Sequence, residues 1–280
     1  MTESFSETRG FAPRYRAAVQ TRGRLCAGID PHPELLTAWG LTVDADGLRR
    51  FADICVSAFA DAAAVIKPQV AFFEPFGSAG ISVLELVITE CQAAGALVLA
   101  DAKRGDIGST MAAYARAWLD DASPLCADAV TASPYLGFGS LAPAVETART
   151  TGRCVFALAR TSNPEGGGVQ LADAGGRTVG QLIVDEAAAE NADGSATLGL
   201  VVGATRAHGL DLSNLNGPIL APGLGAQGAT ASDLPDVFDG ADPAWVLPAS
   251  SRGVLRAGPD VANLRDAFAA ARDEVEAALS

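Results

Sequence analysis

Eight short apolar runs punctuate this 280-residue chain, and alanine-rich segments with helical spacing lie between most of them. The runs are RLCAGI (24–29), AVIK (64–67), ALVLAD (96–101), DAVTA (128–132), CVFALA (154–159), LGLVVG (198–203), PILAP (218–222) and WVLPA (245–249). Their apolar residues are continuous, not alternating, as expected of strands covered on both faces in a parallel sheet. The intervening pattern predicts helices over 44–62, 79–94, 107–120, 139–151, 174–192, 205–212 and 259–279. Eight strand–helix units in this length fit a closed (β/α)8 TIM barrel better than an open doubly wound sheet. A segment at about 5–22 reads as an extra N-terminal helix covering the barrel's bottom. No linker divides the chain, so residues 1–280 read as a single domain.

Composition narrows the function. A formal charge of -13 argues against general affinity for nucleic acid or for an anionic membrane. Any anionic substrate must therefore meet a local cluster of cations. The N-terminus shows no signal-peptide pattern, and no uninterrupted apolar stretch approaches the ~18 residues of a membrane span. A cytoplasmic protein is expected. Cys26, Cys55, Cys91, Cys126 and Cys154 are widely spaced with no CxxC pair, and read as reduced core thiols. With only His32 and His208, both read as loop residues, a histidine-rich metal site is not expected. Eighteen arginines stand against two lysines, Lys67 and Lys103. Those two mark places where a compact ammonium able to release a proton is needed, which guanidinium cannot supply.

Both lysines fall at strand ends. Asp30 follows the first predicted strand, Lys67 closes the second, and Asp101 with Lys103 closes the third. Ser133 follows the fourth and Ser162 the fifth; Pro222, Gly223 and Gln227 fall at the end of the seventh, and Arg252 follows the eighth. A barrel brings such positions to one mouth, where charged groups are costly unless paired. The gly-rich loops 161–177 and 223–240 lie on the same face and read as lids. Within DAKRGDIGST (101–110), Asp101 and Lys103 are two apart and project to one side of an extended chain. Asp106 and Thr110 are four apart and would share a face of the helix starting near 106. Carboxylate, ammonium and carboxylate alternate, each holding its neighbour ionised.

This stretch closely resembles the signature of the orotidine 5'-phosphate decarboxylase family, in its bacterial subgroup with longer chains. CAGIDPHP, IKPQVAFFE, ASPYLG, ARTSNPEG, VVGAT, APGLGAQG and ASSRGVL extend the resemblance along most of the sequence, in that family's order. The resemblance implies conversion of orotidine 5'-monophosphate to UMP and carbon dioxide without metal or cofactor. Lys103 would stabilise and protonate the C6 carbanion, Asp101 would sit near the substrate carboxylate, and Lys67 would link the array to the ribose. Asp30 would bind a ribose hydroxyl and Ser162 the pyrimidine. Gln227 and Arg252, with backbone N–H groups near Pro222 and Gly223, would grip the phosphate. Asp106 and Thr110 would enter a neighbouring subunit's site, which implies a homodimer. Ser133 and Thr205 read as structural. Three rivals carry distinct tests. A magnesium-dependent sugar-phosphate decarboxylase, with Glu74 as an extra ligand, would lose activity in chelator. A lysine Schiff-base aldolase would be trapped by borohydride, and a noncatalytic nucleotide-phosphate sensor would release no UMP.

Overall fold

The structure is a computed structural model that describes residues 10–204, 208–225 and 228–280. All eight expected strands form: β1 Cys26–Ile29, β2 Val65–Pro68, β3 Leu97–Arg104, β4 Ala129–Ala132, β5 Cys154–Arg160, β6 Leu198–Val202, β7 Ile219–Pro222 and β8 Val246–Ser250. Each pairs in parallel with its sequence neighbours, and β8 closes on β1 through Cys26↔Ala249 and Ala27↔Ser250. The described helices are α1 Phe11–Arg22, α2 Pro33–Ala38, α3 Ala45–Phe59, α4 Gly77–Ala93, α5 Gly108–Leu119 and α6 Ala142–Thr151. They continue as α7 Gly167–Gln170, α8 Val179–Glu190, α9 Leu234–Val237, α10 Arg252–Leu255 and α11 Val261–Ala278.

Two expectations are corrected. The helix foreseen over 205–212 is not present at 208–212; residues 205–207, including Thr205, lie outside the described residues. There Gly209 takes φ +72 and the His208 ring accepts the Leu210 N–H through Nδ1 at 3.1 Å, a side-chain bond that competes with a helical turn. Asp106 is not helical either, because α5 begins at Gly108. Asp106 instead caps its own loop, its Oδ1 accepting from the Ile107 N–H at 2.8 Å.

The foreseen N-terminal helix is described from Phe11, and its face explains its position. Phe11 and Tyr15 enter the lumen from below, where Phe11 meets Phe156 edge-on at 6.4 Å and Tyr15 stacks on Trp245 at 5.3 Å. Burying such a side chain is worth roughly 1.5–3 kcal/mol. Arg14 fastens the plug, pairing with Asp128 and donating to the Gly152 carbonyl at 2.7 Å. Arg22 donates to the carbonyls of Ala60 and Ala94 at 3.0 and 2.8 Å, satisfying chain ends just beyond α3 and α4.

One helical run, Val70–Ala93, is apolar and long enough to cross a membrane by length and composition. It is broken at Gly77, where α4 begins after two 3-10 turns. Within α4, Val83, Leu84, Val87, Ile88 and Cys91 are buried, while Glu85 and Glu90 are not, as for a helix packed against a barrel wall. All five cysteines are free and buried.

Candidate active site

β2 and β3 build the charged end of the barrel in register, with Val65↔Leu97 and Ile66↔Val98. Side chains alternate along a strand, so Lys67 and Gln69 on one chain segment face Asp101 and Lys103 on the next. A further bridge pairs Gln69 with Asp101, and the Gln69 N–H donates to the Ile29 carbonyl at 3.1 Å. Asp101 lies at the centre. Its Oδ1 accepts from Lys103 Nζ at 2.6 Å and Thr131 Oγ1 at 2.9 Å. Its Oδ2 accepts from Gln69 Nε2 at 2.8 Å and Lys67 Nζ at 3.3 Å. Lys67 Nζ also lies 3.6 Å from Asp30 Oδ1, an ionic contact too long for a hydrogen bond.

Burial drives the Asp101 carboxyl up, but Lys67 and Lys103 outweigh it and pull the group down to about 2. Burial pulls the Lys67 ammonium down, and Asp30 with Asp101 overcomes it, so Lys67 is held above the ordinary lysine range. Both groups therefore keep their charges at neutral pH. The alternation of charges expected for 101–103 is present, with Lys67 extending it.

Lys103 is in the left-handed region, φ +48, where a side-chain-bearing residue is strained. The register against β4 slips between Ala100 and Arg104, so Lys103 occupies a bulge in the ladder. Its N–H, diverted from the ladder, donates to Thr131 Oγ1 at 2.9 Å. Thr131 is fully buried and thus fixes both the lysine's backbone and the carboxylate beside it. Strain kept in place by a buried hydroxyl is the pattern of a functional position. Gln69 and Thr131 were missed by reading strand ends alone. The period-two pairing of Gln69 with Lys67 was the signal that could have found the first.

A cavity of about 300 Å³ joins this lattice to the other strand ends. Asp30, Lys67, Asp101 and Lys103 line it, and Ser162, Pro222, Gly223 and Arg252 are on the same wall. Asp30 Oδ1 is buried without a hydrogen bond, an acceptor awaiting a donor. Gln227 lies outside the described residues. Asp106 and Thr110 are not on the cavity wall. They flank Ile107, which is 62% exposed; the Arg104 carbonyl accepts from the Ser133 N–H at 2.8 Å at the start of the loop after β4, which exposes Tyr135 (78%) and Leu136 (54%). Glu74 pairs with Arg104, away from the cavity wall.

Two fixed ammonium groups beside two carboxylates, with a guanidinium across the same cavity, can bind a phosphorylated anion and supply a proton to it. Known proteins share this scaffold. Residues 23–267 match the family described as orotidine 5'-phosphate decarboxylase / HUMPS. Proteins named orotidine 5'-phosphate decarboxylase from Salinispora arenicola and Salinispora tropica are 58% and 57% identical over 274 residues, covering 96% of this chain and 98% of each relative. A crystal structure from Streptomyces avermitilis superposes with a TM-score of 0.93 at 54% identity, covering 97% of this chain and 96% of that one. The structure of Leishmania donovani OMP decarboxylase gives a TM-score of 0.75 at 31% identity, covering 96% and 99%.

Proposed function

The chain belongs to the orotidine 5'-phosphate decarboxylase / HUMPS family, and we infer that it converts orotidine 5'-monophosphate to UMP and carbon dioxide, the last step of UMP biosynthesis. The observation that carries this reading is the single cavity shared by the Lys67–Asp101–Lys103 lattice and Arg252.

Breaking the bond from C6 to the carboxylate leaves an electron pair in an sp2 orbital orthogonal to the ring's π system. Ring resonance cannot spread it. A fixed ammonium at C6 is attracted to that pair more strongly than to the ground state, which is what accelerates a reaction. Lys103 is the ammonium: as carbon dioxide departs, the pair on C6 takes a proton from Nζ, and the resulting amine regains one from water. Asp101, held anionic by its lysines, anchors Nζ and faces the substrate carboxylate. Lys67 carries the array toward Asp30, whose Oδ1, in ionic contact with Lys67 but without a hydrogen bond, accepts from a ribose hydroxyl. Ser162 meets the pyrimidine. Arg252, Gln227 and the backbone N–H at Gly223 hold the phosphate, Pro222 supplying shape and no donor. Enzymes lower barriers by ~8–23 kcal/mol, more at the upper end than one ammonium supplies, so phosphate and ribose binding contributes through exclusion of water.

Asp106 and Thr110 act in the neighbouring subunit's site, making the enzyme a homodimer; the exposed apolar side chains of Ile107, Tyr135 and Leu136 support this reading. Residues 1–280 form one catalytic domain. Buried, unpaired cysteines agree with a cytoplasmic location. The magnesium-dependent rival within the same superfamily is less well supported, since Glu74 is occupied by Arg104 and the Lys67 ammonium fills the space between Asp30 and Asp101.

A spectrophotometric assay with orotidine 5'-monophosphate, with and without EDTA, tests the activity: UMP release indifferent to chelator is expected, and release that EDTA abolishes would favour the rival. Mixing Lys103→Ala and Asp106→Ala subunits tests the shared site. Hybrids regain activity if one of their two sites lacks both lesions; no recovery despite subunit exchange would confine each site to one chain.

A further inference from the structure

Gln170, the last residue of α7, ties a knot at the base of the loop after β5. Its Oε1 accepts from the Thr161 N–H and from Arg160 Nη1, each at 3.0 Å. Its Nε2 donates to Thr161 Oγ1 at 2.8 Å. The Thr161 hydroxyl passes its single proton to Asn163 Oδ1 at 2.6 Å, and Asn163 Nδ2 donates to Glu165 Oε2 at 3.0 Å. The series runs unbroken from Arg160 to Glu165. The amide cannot be turned over, because its NH2 would then face two N–H groups.

Gly166 shows how closely the knot is packed. Its backbone, φ -59 and ψ -24, suits any residue. A Cβ there would nonetheless lie 2.8 Å from Gln170 Oε1 and 2.9 Å from Thr161 Oγ1. The side-chain knot, not the backbone, demands glycine.

Thr161, Ser162 and Asn163 all line the cavity. We propose that Gln170 is a positioning residue that holds segment 161–163 against the cavity and so sets recognition of the pyrimidine. This rests on the decarboxylase reading and adds a residue to it. Gly223 and Arg252, at the phosphate end, follow β7 and β8, so Gln170 acts on the base and not on the phosphate.

The test compares wild type, Gln170→Leu and Gln170→Glu for turnover of orotidine 5'-monophosphate and for binding of UMP and of ribose 5-phosphate, which lacks the base. Gln170→Leu removes every bond at similar volume, and KM and the UMP dissociation constant should rise about ten- to a hundredfold. Ribose 5-phosphate affinity should not change. Gln170→Glu keeps an acceptor for both N–H groups and should recover much of the loss. Gly166→Ala, whose methyl would crowd both Gln170 Oε1 and Thr161 Oγ1, should also weaken UMP. Unchanged UMP affinity in Gln170→Leu, or parallel loss of both ligands, would each overturn the proposal. Absence of UMP release by the wild type would instead sink the decarboxylase reading beneath it.

Discussion

Asp101 and Asp128 stand at opposite ends of the barrel and are equally hidden, 7% and 6% exposed, but their partners differ in kind. Asp128, just before β4, accepts from the Val98 backbone N–H at 2.9 Å, from Gln92 Nε2 at 3.0 Å and from Arg14. It joins β3, α4, β4 and the N-terminal plug. Asp101, on β3, accepts among the described residues only from side chains: Lys67, Gln69, Lys103 and Thr131. Two of those are ammonium groups on a cavity wall. A carboxylate bonded to backbone is committed to the fold, whereas one surrounded by mobile protons at a cavity is committed to chemistry. Burial alone does not distinguish them; the identity of the donors does.

Matched substitutions give the largest contrast. Asp101→Ala should lower kcat by about 10²–10³ or more, since the ammonium loses its anchor. Asp128→Ala should instead cost about 3 kcal/mol of stability by stranding buried donors, with kcat per folded molecule unchanged. Denaturant titration and steady-state kinetics on both variants decide it; a catalytic defect in Asp128→Ala would erase the distinction. Gln69→Met, which keeps the shape but loses the amide's bond to Asp101 and its 3.4 Å bond from Lys103 Nζ, should lower kcat about ten- to a hundredfold and leave Tm nearly unchanged.

The smallest effect lies in acid. The folded Asp101 carboxyl, at about 2, lies below its unfolded value. Its contribution, on the order of 2 kcal/mol, is therefore full above about pH 4 and lost as pH falls through the folded value. The stability gap between wild type and Asp101→Asn should narrow between pH 4 and 2, measured by denaturant unfolding. A gap constant across that range would contradict the pairing.

The barrel was legible because strands covered on both faces leave continuous apolar runs, and each of the eight runs became a strand within a few residues. Strand ends likewise placed Asp30, Lys67, Asp101, Lys103, Ser162, Pro222, Gly223 and Arg252 on one cavity. What escaped depends on relations between segments. Thr131 reads as one more β-branched strand residue until the bulge in β3 turns the Lys103 N–H toward it. Asp128 reads as the edge of an apolar run until Arg14 arrives from 114 residues away. The false helix at 208–212 follows from a local apolar period that a histidine side chain overrides.

The central claim is that the Lys103 ammonium, fixed by Asp101 in a bulge of β3, carries the reaction. Turnover of orotidine 5'-monophosphate by Lys103→Ala, measured alongside UMP binding to the same preparation, tests it most directly. The expected result is loss of turnover with UMP still bound; near-normal turnover in that variant would contradict the account.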